Sequence, residues 1–240
     1  MNAMIVTQWS SRSTGAPFIV WPDGCRDLIV RLGPLQPPTL FLTGLDATAY
    51  WVHAPTTTEY FGVRLTPGTL AVWESHRPTA GGHQSDLQCF NQLSKALLEA
   101  IHSGSGTAPS LLRETVDRWF RPANTITREF FQALDRTGGN LPSHSRGSRT
   151  LRRHIRSATG APPRFWLGLR RLRRSAYDIV HGNASLADIA ISAGYSDQAH
   201  MTRDIRRWLG LTPAVLRKRA STYRRLAASP DAFSAGSSLA

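Results

Sequence analysis

Hydrophobic positions in the first seventy residues fall into short, strand-like clusters. MIVTQW (4–9), DLIVRL (27–32), TLFLTG (39–44), TAYWVHA (48–54) and TEYFGVRL (58–65) are rich in β-branched and aromatic residues, and turn formers such as Pro22-Asp23-Gly24 and Pro37-Pro38 separate them. That spacing predicts a small barrel or sandwich. Beyond Pro67-Gly68 the period lengthens. Leu87, Phe90, Leu93, Leu97 and Ile101 predict a helix over roughly 85–102. Leu112, Val116 and Trp119 predict one over 109–120, and Ile126, Phe130 and Leu134 another over 125–134. Residues 135–148 are polar and rich in Gly, Pro and Ser, which suits a linker or an unusual start to the next domain. Phe165, Leu169, Leu172, Ala176 and Ile179 then form one apolar stripe over 163–181. Arg170, Arg171, Arg173 and Arg174 lie on its other faces, open to two readings: contact with a polyanion backbone or a solvated basic surface. After Leu226 the chain becomes an Ala/Ser-rich tail.

The chain repeats itself at a shift of fifty residues. Leu151 to Pro163 aligns with Met201 to Pro213, with identity at Arg153/Arg203, Ile155/Ile205, Arg156/Arg206, Gly160/Gly210 and Pro163/Pro213. Each copy predicts a helix closed by glycine, followed three residues later by a proline suited to open the next helix. The second copy has a full helix-turn-helix pattern. Ser185-x-x-Asp188 resembles a capping box, Leu186, Ile189, Ala190 and Ala193 make an apolar face, Gly194 supplies the turn, and Ser196 or Asp197 caps the next helix. Met201, Ile205 and Trp208 then face inward, leaving Gln198, Thr202, Arg203, Arg206 and Arg207 outward.

Charge sharpens this picture. Residues 1–140 are net neutral, so the whole excess of +13 sits in the last hundred residues. Among the 29 basic residues only Lys95 and Lys218 are lysines. Arginine's planar fork suits phosphates and guanine edges. A basic domain joined to a neutral one points to a polyanion binder coupled to a second function.

Residues 141–220 resemble the C-terminal domain of the AraC/XylS family of transcription regulators, on the strength of SLADIAISAGYSDQAHMTRDIRRWLGLTPAVLRKR (185–219) and the first-copy match at 150–163. The resemblance implies seven or so helices, with two recognition helices joined by a long one and inserted into successive major grooves of double-stranded DNA. The first recognition helix would present Arg149, Arg152, Arg153 and Arg156, and the second Gln198, His200, Thr202, Arg203, Arg206 and Arg207. One stretch departs from the family pattern. Where the first unit should open with an apolar helix, residues 138–145 read GGNLPSHS, and two glycines and a proline disfavour one. Its four arginines are then as well suited to anchoring phosphates as to reading bases.

Trp21-Pro22-Asp23-Gly24-Cys25-Arg26-Asp27-Leu28, with Tyr60-Phe61-Gly62-Val63-Arg64-Leu65-Thr66-Pro67-Gly68, resembles a cupin-like sensory domain that precedes such DNA-binding domains. This implies an α+β chain. A small cupin-like β-barrel spans 1–80, a helical connector able to dimerise spans 81–136, an all-α double helix-turn-helix domain spans 137–226, and a tail spans 227–240. On the residues alone, Asp27 is suited to orient a turn, to pair with Arg26 or Arg64, or to point into a pocket. Cys25 reads as a small buried residue. The barrel region holds His53 but no His-x-His pair or facial triad, so no metal and no cofactor is expected. No nucleophile elbow, phosphate-cradling loop or His-Glu-x-x-His is present, so no enzyme is expected.

No apolar run is long enough to span a bilayer, Met1 to Ser10 makes a poor signal peptide, and two distant cysteines suit a reducing compartment; the expectation is a cytoplasmic protein. The expected function is DNA-binding transcription regulation, controlled by a small-molecule effector at the N-terminal domain, with a homodimer and, for an activator, RNA polymerase as further partners. The alternative is an architectural, non-specific DNA binder with a vestigial sensory domain.

Overall fold

The computed structural model describes residues 4–34, 37–71, 91–104, 106–136, 149–224 and 226–227. Strands β1 (Ile5–Arg12), β6 (Glu59–Leu65), β3 (Arg26–Leu32) and β4 (Thr39–Leu42) form an antiparallel sheet in the order β1-β6-β3-β4. Strands β2 (Phe18–Val20) and β5 (Tyr50–Val52) pair as a separate ribbon, and β7 (Leu70–Ala71) pairs with β8 (Phe120–Arg121). Four of these strands, β2, β5, β7 and β8, have only two or three residues each, too few to show a period in the sequence.

Successive residues of a strand point to opposite faces. On one face of the sheet, Leu28 and Val30, Leu40 and Leu42, and Val63 and Leu65 are buried against Leu97 of α1 (Asn91–His102) and Leu112 and Val116 of α2 (Ala108–Trp119). The other face is polar at its centre. Arg64 lies across from Asp27 and forms two bonds to its carboxylate, each 3.1 Å, while its third nitrogen reaches Asp23 at 2.9 Å. The Trp9 indole N–H donates to Asp27 at 3.3 Å, and its ring lies over Gly62, where a Cβ would come within 2.2 Å of it. Of the three roles open to Asp27, the structure selects pairing with Arg64. Burial pushes its carboxyl up, against the pull of that guanidinium. Cys25 is buried, and its thiol is likewise pushed up by burial.

The remaining helices are α3 (Thr125–Arg136), α4 (Arg149–Thr159), α5 (Pro163–His181), α6 (Leu186–Ser192), α7 (Gln198–Leu209), α8 (Pro213–Lys218) and α9 (Ala220–Tyr223). Helices α2, α3 and α5 agree with the expected spans within two residues. Two expectations change in detail. Ile126 is 48% exposed, and the inner face of α3 runs through Thr127, Phe130, Phe131 and Leu134, the tighter three-to-four spacing. Arg170 is neither a solvated residue nor a free anchor: it is buried and bonds both the carboxylate and the backbone carbonyl of Asp135. Residues 72–90 and 137–148, which hold the expected start of the first connector helix and the GGNLPSHS stretch, lie outside the described residues.

A second core unites the chain's two halves. Trp21 and Leu45 from the strand region, and Phe130, Phe131 and Leu134 from α3, share it with Ile155, Trp166, Leu169, Leu172, Ile179, Met201, Ile205 and Trp208. Phe131 meets Trp166 edge to face at 4.7 Å between centroids, and Trp21 stacks on Tyr223 at 5.5 Å. Such aromatic pairs add about 0.5–1.5 kcal/mol to the burial itself.

Candidate nucleic-acid interface

The second helix-turn-helix unit is built from local chemistry. The Ser185 hydroxyl accepts the Asp188 N–H at 3.1 Å and donates to the Asp188 carboxylate at 2.6 Å, which satisfies one of the unpaired amides that open α6. Ile189 and Ala190 are the buried residues of that helix. Gly194 then turns the chain at φ 85°, a conformation that costs a side-chain-bearing residue roughly 1–2 kcal/mol. Tyr195 N–H donates back to the Ala190 carbonyl at 2.9 Å. Asp197, the second of the two candidate caps, opens α7 by accepting the His200 N–H at 2.6 Å. That bond is the largest influence holding the Asp197 carboxyl below its ordinary range, so the cap stays ionised and complements the helix N-terminus.

The fifty-residue repeat holds in three dimensions. Ile155 and Ile205 are fully buried, while Arg153 and Arg203, and Arg156 and Arg206, are exposed. Gly160 and Gly210 close α4 and α7 in left-handed conformations, φ 79° and 70°, and each donates its N–H four residues back at 2.9 Å, to Arg156 and Arg206 respectively. Pro163 and Pro213 begin the helices that follow. The two arginine-bearing helices are therefore equivalent halves around the 19-residue α5.

On α4, Arg149, Arg152, Arg153 and Arg156 are all exposed and recur every three or four residues, so they form one stripe opposite Ile155 and Ala158. No acidic residue lies within that helix. On α7, Gln198, Arg203, Arg206 and Arg207 are exposed, and His200 and Thr202 are half-buried. Local contacts divide these six. The Thr202 hydroxyl donates to the Gln198 carbonyl at 2.8 Å. His200 Nδ1 lies 3.1 Å from Ser196 Oγ, and its ring meets buried Tyr195 edge-on at 5.1 Å, so His200 braces the turn. The Arg207 guanidinium folds back to 5.5 Å from the Trp208 ring. Gln198, Arg203 and Arg206 carry the outward reach.

Four arginines of α5, Arg170, Arg171, Arg173 and Arg174, have partners within the protein. Arg171 lies over the Tyr195 ring at 5.1 Å and faces Asp204 of α7 at 4.0 Å. Burial pushes the Tyr195 phenol up to about 12, so that ring stays neutral beneath the cation. Arg173 donates to the Asp23 carbonyl at 3.3 Å, and Arg174 pairs with Asp178 one turn along. Sequence spacing could not reveal these tethers, because the partners of Arg170 and Arg173 lie 35 and 150 residues away.

Sequence comparison with known proteins falls on the same segment. A family profile described as a helix-turn-helix domain matches residues 145–219, just under a third of the chain. Over 71 residues the chain is 34% identical to the virulence regulon transcriptional activator VirF of Yersinia enterocolitica, covering 30% of this chain and 26% of that protein. Over 68 residues it is 34% identical to the HTH-type transcriptional regulator ExsA of Pseudomonas aeruginosa, covering 28% and 24%. The chain thus spans about a quarter of the length of these curated relatives. Among solved structures, ToxT from Vibrio cholerae aligns at 9% identity with a TM-score of 0.43, covering 88% of this chain and 96% of that one. The C-terminal segment, with its paired arginine-bearing helices, is a helix-turn-helix domain similar to that of these transcription regulators.

Proposed function

We propose that this protein is a transcription regulator that binds double-stranded DNA by placing α4 and α7 in successive major grooves. The observation that carries the reading is the repeat in space: two helices of matched burial, each with an outward arginine stripe, each ended by a left-handed glycine, both packed against α5. Gln198 suits an adenine edge and Arg203 a guanine edge, with Arg206 on phosphate or base; Arg149, Arg152, Arg153 and Arg156 form the corresponding stripe on α4. Residues 137–226 serve as the DNA-binding domain. Residues 1–80 serve as the sensory part, receiving a small molecule, and 81–136 as the connector and dimerisation element. The protein works in the cytoplasm, and RNA polymerase is a partner if it activates.

Selection of bound sites from a random duplex library, followed by affinity measurements across salt concentrations, tests this. Two half-elements about one helical turn apart are expected, with affinity falling steeply as salt rises. A library with no enriched sequence, bound only at low salt, would replace the reading with non-specific architectural binding.

A further inference from the structure

Each recognition helix is fastened to the strand-and-connector half of the chain at a residue outside its arginine stripe. On α7 the fastening is to the backbone. Trp208 lies in the last turn, where helix carbonyls lack intrahelical partners, and its carbonyl accepts the Ala49 N–H at 2.7 Å from the loop between β4 and β5. On α4 it is a side chain. His154 Nε2 lies 2.9 Å from the Asn124 carboxamide oxygen, which also accepts the Thr127 N–H at 3.0 Å at the start of α3. Between these points, α5 is held by buried Arg170 on Asp135 and by Arg173 on the Asp23 carbonyl. None of these contacts covers Arg149, Arg152, Arg153, Arg156, Gln198, Arg203 or Arg206, so the fastening leaves both stripes open.

We infer that the N-terminal half is a brace that sets the separation and phase of the two recognition helices, with Ala49 and His154 as positioning residues that touch no DNA. The inference rests on the two-helix reading above and adds to it the means by which the N-terminal half influences DNA choice: it selects the spacing between half-elements. Respacing a site by one base pair moves its second half by about 3.4 Å along the axis and about a tenth of a turn around it. A braced pair of helices cannot follow such a shift; a pair joined by α5 alone follows it by bending or tilting.

The test uses the full chain and the selected duplex, with its half-elements respaced by one, two or three base pairs in either direction. Losing one base contact costs roughly tenfold, so the wild type is expected to bind each respaced duplex at least about that much more weakly. The pair of substitutions Ala49→Pro, which removes the donated amide, and His154→Ala is expected to flatten this profile while leaving the preferred bases within each half unchanged. His154→Ala alone should flatten it partly if the double variant fails to fold. His154→Gln, which keeps a side-chain nitrogen donor, should restore it. A merely structural role lowers affinity for every duplex alike. A folded His154→Ala or double variant with the wild-type spacing profile overturns the brace. A wild type that selects a single half-element, or ignores spacing, removes the two-helix reading and the brace with it.

Discussion

Arg203 stands exposed in the middle of α7, six residues beyond the charged cap Asp197. Replacing it with alanine should weaken DNA binding by about 1–3 kcal/mol and relax the preference at one base position. Equal weakening on all sequences, seen by repeating the site selection with the variant, would make it a phosphate contact. Arg207, folded onto Trp208, should give the smaller effect of the two. A second residue-scale expectation concerns pH. Asp46 is largely buried, and burial, with Asp23 and Asp27 nearby, pushes its carboxyl up to about 7 while it shares a hydrogen bond with Tyr50. An unfolded aspartate releases its proton near pH 3.9. The folded state therefore holds a proton that the unfolded state gives up, and its contribution is complete in acid and lost as pH rises through about 7. The denaturant midpoint should fall between pH 5 and pH 8 in the wild type and fall less in Asp46→Asn. Identical slopes would remove Asp46 from the balance.

Among the elements, the α6–α7 unit depends on one cap and one turn. Ser185→Ala should cost about 1 kcal/mol, and Gly194→Ala roughly 1–2 kcal/mol because its φ is 85°; thermal unfolding measures both. A Gly194 variant as stable as the wild type would mean that the turn relaxes to another conformation. This unit was the most legible part of the sequence for the same reason that these substitutions matter. Its caps, glycines and prolines are local signals at fixed offsets, and the repeat states the closing glycine and the following proline twice. The long stripe of α5 was equally legible. The fate of the arginines of α5 was not, because an ion pair between Arg170 and Asp135 leaves no periodic trace. Ile126 misled for a related reason: an apolar residue at a helix start looks like core until the better-spaced Thr127, Phe130, Phe131 and Leu134 claim the inner face.

For the whole molecule, the shared core determines which fragments stand alone. Residues 137–226 lack Phe130, Phe131 and Leu134, and they leave buried Arg170 without Asp135. Breaking a buried pair by removing one partner costs roughly 3–5 kcal/mol. A fragment that begins at residue 122, and so keeps α3, should therefore unfold at a clearly higher denaturant concentration than one that begins at 137. Matching midpoints would show that α3 adds nothing to that core. The two-part division of the chain was visible in its charge, whereas the seam joining the parts was not, since Trp21 and Tyr223 lie at opposite ends of the sequence. The arginine stripes of α4 and α7 carry one more consequence. Neither helix contains a lysine; Lys218 ends α8 and Lys95 lies on α1. Guanidinium groups stay charged at any physiological pH, and enzymes that acetylate lysine find nothing to neutralise on either stripe. Lysine modification therefore cannot neutralise this surface, and its charge is fixed by arginine alone.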